Sequence, residues 1–333
     1  MIYKRLVLIS FFSFFILPLL VFAEGSEFFL NTEVGASAGT LRIASVEGFS
    51  PHASNVFENP AGLYRVNKFS TSAFMTTIMQ EVAYQNLALS YRLPIGVLGL
   101  GYMQVGVDNI HKTREVTDSL GVSYPQIDYD FGYRNSVTKV SYQLSQSQHL
   151  HLGASFSYFL TSFDTVKGQG YNMDVGAIFK ATNFEVSVCF KNILSSKIVY
   201  TDSDYTILNN NSQSTTEVIP FIGSYGLKYM YHDFDFYVQL KNIGKLSGLS
   251  KSVGVCYIPS FFPSFMISAG YREYPVKQMI EGDVKKTFLP SAVLGLGLDL
   301  YGINFDYAYE VDLNKDKISD YKNTHYFSVA YSF

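Results

Sequence analysis

The acidic segment DLNKDKISDYKN, residues 312–323, has part of the spacing of a calcium-binding loop. Four oxygen-bearing side chains occupy positions 1, 3, 5 and 9 of such a loop: Asp312, Asn314, Asp316 and Asp320. Position 6, where the loop needs glycine for a sharp turn, is Lys317, and position 12, which normally supplies a bidentate glutamate, is Asn323. The pattern therefore favours a solvated loop, and the sequence predicts neither a metal site nor another cofactor.

Histidine, serine and cysteine residues form no recognisable active-site pattern. His149 and His151 stand at i and i+2, a spacing that suits two metal ligands, but no third ligand is evident, which favours a polar pair near a turn. The six histidines show no motif with a serine or aspartate nucleophile, so no enzyme is predicted. Cys189 and Cys256 are too few for a disulfide scaffold, and the sequence leaves their pairing open.

Residues 1–23 have the character of a secretory signal peptide. Lys4 and Arg5 precede an apolar run of 17 residues that ends before Ala23. This run is short for a membrane span and is interrupted by Pro18, which argues against an anchor helix. Because no later apolar run reaches 18 residues, helices are not expected to cross a membrane. The chain is therefore predicted to be exported.

The composition argues against nucleic-acid binding and against an ordinary soluble domain. A net charge of −3 offers no basic surface for a phosphate backbone, so no nucleic-acid partner is predicted. Charged residues make up only 16% of the chain, whereas it contains 26 tyrosines and 28 phenylalanines. In the absence of tryptophan, these aromatic residues would form the belts that contact membrane lipids at the two interfaces.

Apolar and polar residues alternate along many segments, as in strands with two different faces. In the last segment, HYFSVAYSF, one face carries Phe327, Val329, Tyr331 and Phe333. The segments DFDFYVQLK and YGINFDYAYE also alternate, and their charged residues lie opposite the apolar face: Asp233, Asp235, Lys241, Asp306 and Glu310. A lysine or arginine facing lipid at mid-bilayer costs about 2 to 4 kcal/mol. The apolar face is therefore predicted to meet lipid, and these charged residues to line a lumen.

Fourteen such segments are predicted as strands, beginning near residues 69, 83, 95, 134, 149, 171, 183, 220, 233, 252, 265, 290, 301 and 325. Tight connections alternate with longer ones, the longest being 108–133, 192–219, 275–289 and 311–324. A soluble sandwich also alternates, but it has no reason to collect its long loops at one end. The sequence therefore predicts an all-β fold: a 14-stranded antiparallel transmembrane β-barrel at 69–333, in a bacterial outer membrane, with both termini periplasmic.

A barrel of this size encloses more space than its own side chains fill, so it contains a water channel or a plug. Residues 24–68 precede the first strand and contain small residues, two prolines and little sustained alternation. Such a composition suits an irregular segment buried in protein, where non-helical backbone is tolerated at membrane depth. We predict that residues 24–68 form an N-terminal hatch that plugs the barrel.

Two short motifs in this segment resemble a known hatch: GASAG at residues 35–39 and NVFENPAGL at residues 55–63. Both are similar to the N-terminal hatch of the FadL-like superfamily, which comprises the long-chain fatty acid transporters and the smaller PorV/PorQ-type and UPF0164-type barrels. The resemblance implies a hatch that blocks the lumen, with Asn59, Pro60, Ala61 and Gly62 at its gating turn. In such a turn Pro60 fixes φ, Asn59 bonds its own backbone and Gly62 permits close approach; the alternative is an ordinary turn before the first strand. The face of Phe327, Val329, Tyr331 and Phe333 resembles the C-terminal signal by which the barrel-assembly machinery recognises such barrels.

Three functions follow as hypotheses. The first, implied by the resemblance, is transport of hydrophobic small molecules such as long-chain fatty acids, with hatch-gated passage and lateral release into the membrane. The second is a PorV-type barrel that acts as a partner of secretion-system proteins in protein secretion or surface attachment. The third is a general porin, which the inward-facing charged residues favour.

Overall fold

A computed structural model describes residues 34–78, 81–202, 215–244, 248–280, 283–313 and 323–333. The predicted signal peptide at 1–23 and residues 24–33 of the predicted hatch lie outside the described residues. Most of the described chain is strand: β1 Phe69–Ile78, β2 Val82–Arg92, β3 Val97–Thr117, β4 Ser123–Ser145, β5 Leu150–Phe163, β6 Val166–Lys180, β7 Phe184–Lys191, β8 Lys197–Asp202, β9 Thr215–Val218, β10 Ile222–Tyr231, β11 Phe234–Ile243, β12 Leu249–Tyr257, β13 Phe265–Ile280, β14 Asp283–Leu300, β15 Ile303–Asp312 and β16 Thr324–Ser332.

Fourteen of these strands close into an antiparallel barrel. Neighbours along the chain pair from β1 to β7, β7 pairs with β10, and neighbours pair again from β10 to β16. The first strand then closes on the last, with Ser70 opposite Ser332 and Met75 opposite Phe327. Each of the fourteen predicted strands has a counterpart in this closed sheet, so the predicted fold class is confirmed.

The burial pattern is inverted relative to a soluble protein. Along β11, Phe234, Phe236, Val238 and Leu240 are exposed on the outer surface. The residues between them are buried on the inner face: Asp235, Tyr237, Gln239 and Lys241. An outer surface of large apolar side chains with polar groups enclosed is the arrangement that a lipid environment favours.

Two of the connections predicted as long loops are largely strand. β3 and β4 remain paired from Ile110 with Phe131 to Thr117 with Ser123, past the end of the pairing with β2 and β5. These residues, 108–132, form a two-stranded ribbon that projects from the barrel. Similarly, β13 and β14 stay paired from Tyr274 with Leu289 to Ile280 with Asp283. Backbone pairing continues in both places although the apolar and polar alternation weakens, and alternation was the only signal used to end the predicted strands.

The connection predicted at 192–219 also contains strand. β8 and β9 pair with each other, and β8 extends along β6 from Val166 opposite Asp202 to Gln169 opposite Val199. β7 pairs with the same edge of β6 further along, starting at Val175 opposite Phe190. Residues 170–174 of β6 therefore have no ladder partner on this edge among the described strands.

The described part of the hatch, residues 34–66, lies inside the barrel. It contains helix α1 (Ala38–Leu41) and two short 3-10 helices, Ala53–Val56 and Pro60–Arg65. The last of these packs on β4, β5 and β6, while α1 packs on β14, β15 and β16. No helix in the described ranges is both long and apolar enough to cross a membrane.

We predict that Val238→Arg destabilises the barrel by about 2 to 4 kcal/mol, because this outward side chain sits midway along β11 and would place a charge in lipid. Urea titration of protein folded into lipid vesicles, followed by the mobility of the folded band on unheated gels, measures this loss. Val238→Leu is the matched control and should unfold at the wild-type urea concentration. Equal stability of the arginine and leucine variants would contradict a lipid-facing position.

Candidate functional site

The Asn-Pro-Ala-Gly motif begins a short helix and ties it to the barrel wall. Asn59 is the N-cap of the 3-10 helix Pro60–Arg65, and its Oδ1 accepts a hydrogen bond from Ala61 N at 3.0 Å. Pro60 occupies the first turn, where its missing N–H is no loss. The Asn59 Nδ2 donates to Ser187 Oγ at 2.9 Å and to Val188 O at 3.1 Å on β7. The motif therefore anchors the hatch to β7, while a gating role for Asn59, Pro60, Ala61 and Gly62 stays a prediction.

Wall glycines let the hatch backbone approach the sheet at this point. A methyl group at Gly153 of β5 would overlap the backbone of Pro60 and Ala61, and one at Gly176 of β6 would overlap the Asn59 side chain. These glycines were not singled out in the sequence, since the close approach of a segment about 100 residues away leaves no local signal.

The carboxylate of the hatch residue Glu47 lies between two lysines of the barrel wall. The Nζ atoms of Lys191 on β7 and Lys241 on β11 lie 3.0 Å and 2.7 Å from its carboxylate oxygens. Burial alone would raise the pKa of Glu47, but the two ammonium groups outweigh it and lower the pKa to about 2. Of these three residues, only Lys241 was predicted as lumen-facing. Glu47 was missed because nothing around it in the sequence indicates where its partners are.

A second hatch carboxylate, Glu58, is bound within the hatch itself. It accepts hydrogen bonds from Thr40 Oγ1 and, at 3.1 Å, from Gly48 N. Burial raises the pKa of Glu58, and these hydrogen bonds only partly offset that effect. The two hatch glutamates therefore differ in character: Glu47 faces positive charge on the wall, whereas Glu58 holds the turns of the hatch together.

Arg42 fixes the opposite part of the hatch to β15. Its Nε donates to Asp306 Oδ1 at 3.0 Å, and Asp306 is one of the predicted lumen-facing residues. The Arg42 guanidinium also contacts Cys256 Sγ at 3.2 Å and Met266 Sδ at 3.1 Å. Cys256 and Cys189 are both buried and free, so the two cysteines do not form a disulfide in this structure.

Glu310, also predicted to face the lumen, forms the best-satisfied ion pair of the wall. Arg272 of β13 donates Nε to Glu310 Oε1 at 2.7 Å and Nη2 to Oε2 at 2.6 Å. Arg272 also donates Nη1 to the hatch, to Ser45 Oγ at 2.7 Å and Val34 O at 3.3 Å. One guanidinium therefore joins two wall strands to the hatch, using the fork geometry that arginine provides.

The last two predicted lumen residues differ in position. Asp235 is buried on the inner face of β11, and its Oδ2 lies 2.8 Å from Lys228 Nζ. Asp233 is instead in the turn between β10 and β11, where its carboxylate accepts from Ser260 N at 3.2 Å. The prediction that Asp233 faces the lumen is therefore wrong. The alternation extends one residue beyond the strand, because His232 adopts a positive φ and the strand begins only at Phe234.

The histidine pair separates. His151 is buried and stacks on the Tyr64 ring of the hatch at 3.7 Å, beside Arg65, which pairs with Glu185. His149 precedes β5 and bonds the Lys180 carbonyl at the surface.

Of the calcium-like positions, Asn314, Asp316 and Asp320 lie outside the described residues, while Asp312 ends β15. Within the described ranges, no three metal-ligating side chains meet.

Apolar side chains complete the filling of the lumen. The hatch contributes Ala36, Leu41, Val56, Phe57 and Leu63 to a buried cluster that also includes inner-face residues of the wall: Phe74, Tyr84, Met103, Val105, Val137 and Phe159. Of the inward charges that favoured a porin, Lys241 and Asp306 pair with the hatch, whereas Asp235 and Glu310 pair with basic residues of the wall, Lys228 and Arg272. The site is an interface between hatch and wall.

Comparison with known proteins agrees with this architecture. The sequence model of the family described as type IX secretion system membrane protein PorP/SprF matches residues 136–331. No curated protein gives a significant match. The fold is similar to that of a Pseudomonas aeruginosa FadL homologue, with a TM-score of 0.57 at 12% identity over 89% of this chain and 98% of that chain.

Two toluene transporters are also similar in structure. For TodX from P. putida the TM-score is 0.56 at 12% identity, with 88% of this chain and 98% of that chain covered. For TbuX from Ralstonia pickettii the TM-score is 0.54 at 11% identity, with the same coverage of 88% and 98%. At such low identity the likeness concerns the fold alone. Together with the PorP/SprF family match, it supports the outer-membrane FadL-like barrel superfamily that the hatch motifs predicted.

We predict that Glu47→Gln lowers the free energy of unfolding by about 3 to 5 kcal/mol, because Lys191 and Lys241 lose the carboxylate between them. Lys191→Met should cost less than about 2 kcal/mol, because it leaves Glu47 paired with Lys241. Urea unfolding together with protease sensitivity of the hatch distinguishes the two. Glu115→Gln, at an exposed ribbon position, is the control. A larger loss for the lysine variant would refute the assigned pairing.

His52 makes the seating of the hatch sensitive to acid. Burial, assisted by Arg42 and opposed by Asp299, lowers its pKa from 6.5 to about 4, and its Nδ1 bonds Ser332 Oγ at 2.9 Å. A depressed folded-state pKa means that stability is fully present above pH 6.5 and is lost as the pH falls towards 4. The shift corresponds to about 3 kcal/mol in total. Thermal unfolding at pH 7.5, 6, 5 and 4.5 should show this loss in the wild type, and a much flatter profile for His52→Gln.

Proposed function

Since the chain belongs to the PorP/SprF family of type IX secretion system membrane proteins, we propose that it serves protein secretion as a sealed outer-membrane barrel that binds other secretion-system proteins. The single observation that carries this proposal is the filled lumen, in which charged and apolar contacts join the hatch to opposite walls. A barrel built to pass solutes steadily gains nothing from such a seal. This role requires no catalysis.

The projecting ribbon of β3 and β4 is a suitable binding surface for a protein partner. Its tip and outer half expose large apolar side chains, Leu120 at 86% and Val122 and Ile127 at 57% each. Its base is held rigid at the β5–β6 turn, where Asp164 accepts from Lys112 Nζ at 2.7 Å and from Tyr129 OH at 2.8 Å. A pre-organised element with exposed apolar side chains binds a partner at a lower entropic cost than a flexible loop.

The proposed orientation follows from the rule for outer-membrane barrels, with tight turns in the periplasm and longer extensions outside. Both termini would then be periplasmic and the ribbon would be extracellular. Export would depend on a signal peptide at residues 1–23, and membrane insertion on recognition of β16 by the barrel-assembly machinery. In β16, Phe327, Val329 and Tyr331 are exposed on the outer face, and Phe333 after the strand is exposed as well.

The second candidate function is transport of hydrophobic molecules with lateral release, and a discontinuity in the wall favours it. Among the described strands, residues 170–174 of β6 lack a ladder partner on one edge, and residues 192–196 cover the gap. Ile193 N donates to Met173 O at 2.9 Å, and Asn192 N donates to the Asp174 side chain at 3.0 Å. A loop that closes a gap between strands can open with little loss of sheet. In this function residues 59–62 would gate passage.

We predict that deleting the gene makes secreted proteins accumulate in the periplasm while uptake of labelled oleate is unchanged. Quantitative mass spectrometry of periplasm, cell surface and medium measures secretion in the deletion strain and in the strain complemented with the wild type. A variant in which a two-residue Asn-Gly turn replaces residues 108–132 should fold as a barrel yet fail to restore secretion, because the ribbon is removed and the closed sheet is kept.

The hatch variant Asn59→Ala with Pro60→Ala, expressed in the deletion strain, separates the two candidate functions, because residues 59–62 would gate passage only if the barrel is a transporter. Normal secretion together with lost oleate uptake in the deletion strain would overturn the secretion role and favour transport. Lost secretion with normal uptake supports the proposal. The folded band on unheated gels must be present for each variant that is compared.

A further inference from the structure

Buried polar groups without hydrogen-bond partners collect on one side of the lumen wall. Seven of them lie on the adjacent strands β4, β5 and β6, each with one side-chain atom that has neither a partner nor solvent contact: Asn135 Oδ1, Ser141 Oγ, Gln143 Oε1, His151 Nε2, Ser157 Oγ, Thr161 Oγ1 and Asn172 Nδ2. Among the described residues of β7 and β10 to β16, no fully buried side-chain nitrogen or oxygen lacks a partner. Each such group is costly when sealed from water, because it gives up hydrogen bonds to water and gains none in exchange.

Four of these side chains, Ser141, Gln143, Ser157 and Asn172, form one polar patch without net charge, and the apolar pair of Val137 and Phe159 separates this patch from Asn135 and Thr161. In the register of the sheet, Ser157 lies opposite Asn172 on one side and opposite Lys139 on the other. The charge of Lys139 is neutralised by Asp174, whose Oδ2 lies 2.6 Å from the Lys139 Nζ. Ser155 Oγ donates to the same carboxylate at 3.0 Å. The patch therefore offers hydrogen bonds but has no spare charge for an ion.

Among the described residues, the hatch meets this side of the barrel through close packing and without an ion pair. Val56 and Phe57 pack against Gly101 of β3, and Pro60 and Ala61 pack against Gly153 of β5. The charged contacts of the hatch run to other strands, those of Glu47 to β7 and β11, Arg42 to β15, and Arg65 to β7. Ion pairs therefore hold the hatch to β7, β11 and β15, whereas van der Waals contact holds it to β4, β5 and β6.

We propose that the contact between the hatch and β4 to β6 is a hydration seam, a narrow site that binds water and small neutral solutes with hydroxyl or amide groups. The seam is closed in this structure, and it opens by a slight shift of the hatch while the ionic contacts to β7, β11 and β15 persist. When the seam opens, water forms hydrogen bonds with the unpartnered polar groups, and this gain favours the open form. Ions are excluded because they would lose hydration without gaining a counter-charge. This inference does not rest on the secretion role.

Cysteine labelling tests the seam with matched positions. In a Cys189→Ala, Cys256→Ala background, Ser157→Cys places a thiol in the seam, and Ser252→Cys places one on the inner face of β12, where the buried serine has a satisfied environment. Intact-mass spectrometry of the full chain in lipid nanodiscs measures alkylation by iodoacetamide. We expect the seam cysteine to react at least ten times faster. Ser141→Cys is a second seam probe, should Ser157→Cys fail to give the folded band.

The chemical class is tested by replacing iodoacetamide with iodoacetate, an anionic reagent of similar size. With each rate divided by that of the urea-unfolded chain, we expect the neutral reagent to label the seam cysteine at least ten times faster than the anion. Equally slow labelling of the seam and β12 cysteines would overturn the seam. Equally fast labelling would also overturn it, because the whole hatch would then be leaving the lumen. Equal rates for the two reagents would refute the exclusion of ions.

Discussion

Glu47 carries a negative charge from the hatch into a wall that presents Lys191 and Lys241, and neither side tolerates burial without the other. Removing one partner from a buried ion pair costs far more than the pair itself contributes, because the remaining charge is left without compensation. The hatch and the barrel are therefore each incomplete alone. The ion pairs of Arg42 with Asp306 and of Arg65 with Glu185 extend the same dependence to β15 and to the first part of β7.

The remaining features follow from seating an irregular segment inside a sheet. Backbone inside a membrane protein needs hydrogen-bond partners, and the hatch obtains them from its short helices, from Asn59, and from wall side chains such as Asn86 and Tyr84, which donate to Ala36 O and Gly35 O. Wall glycines allow close contact with apolar side chains of the hatch at β3, with its backbone at β5, and with the Asn59 side chain at β6. The wall therefore holds the hatch by ion pairs where it carries charged side chains, and by van der Waals contact where it carries glycines.

A filled lumen changes which function the fold supports. The same architecture occurs in transporters of hydrophobic molecules, so the fold by itself does not select a function. This chain combines a seal held by buried ion pairs with a two-stranded ribbon outside the closed sheet. The covered gap beside residues 170–174 of β6 is the one feature of the described wall that points towards lateral release.

The sequence by itself determined the class of fold, because the environment of a barrel acts on every second residue. The alternation around Phe236 and Val238 predicts a lipid-facing surface, and the alternation around Lys241 and Glu310 predicts the lumen-facing one. Asn59 followed by Pro60 predicts a capped turn. Only the tertiary structure decided the rest. It brought Glu47 to lysines 144 and 194 residues away, placed Asp233 in a turn, and extended β3 and β4 beyond their alternating segments. Pairing across such separations depends on how the closed sheet arranges its strands around the hatch, and no local pattern of residues encodes that distance.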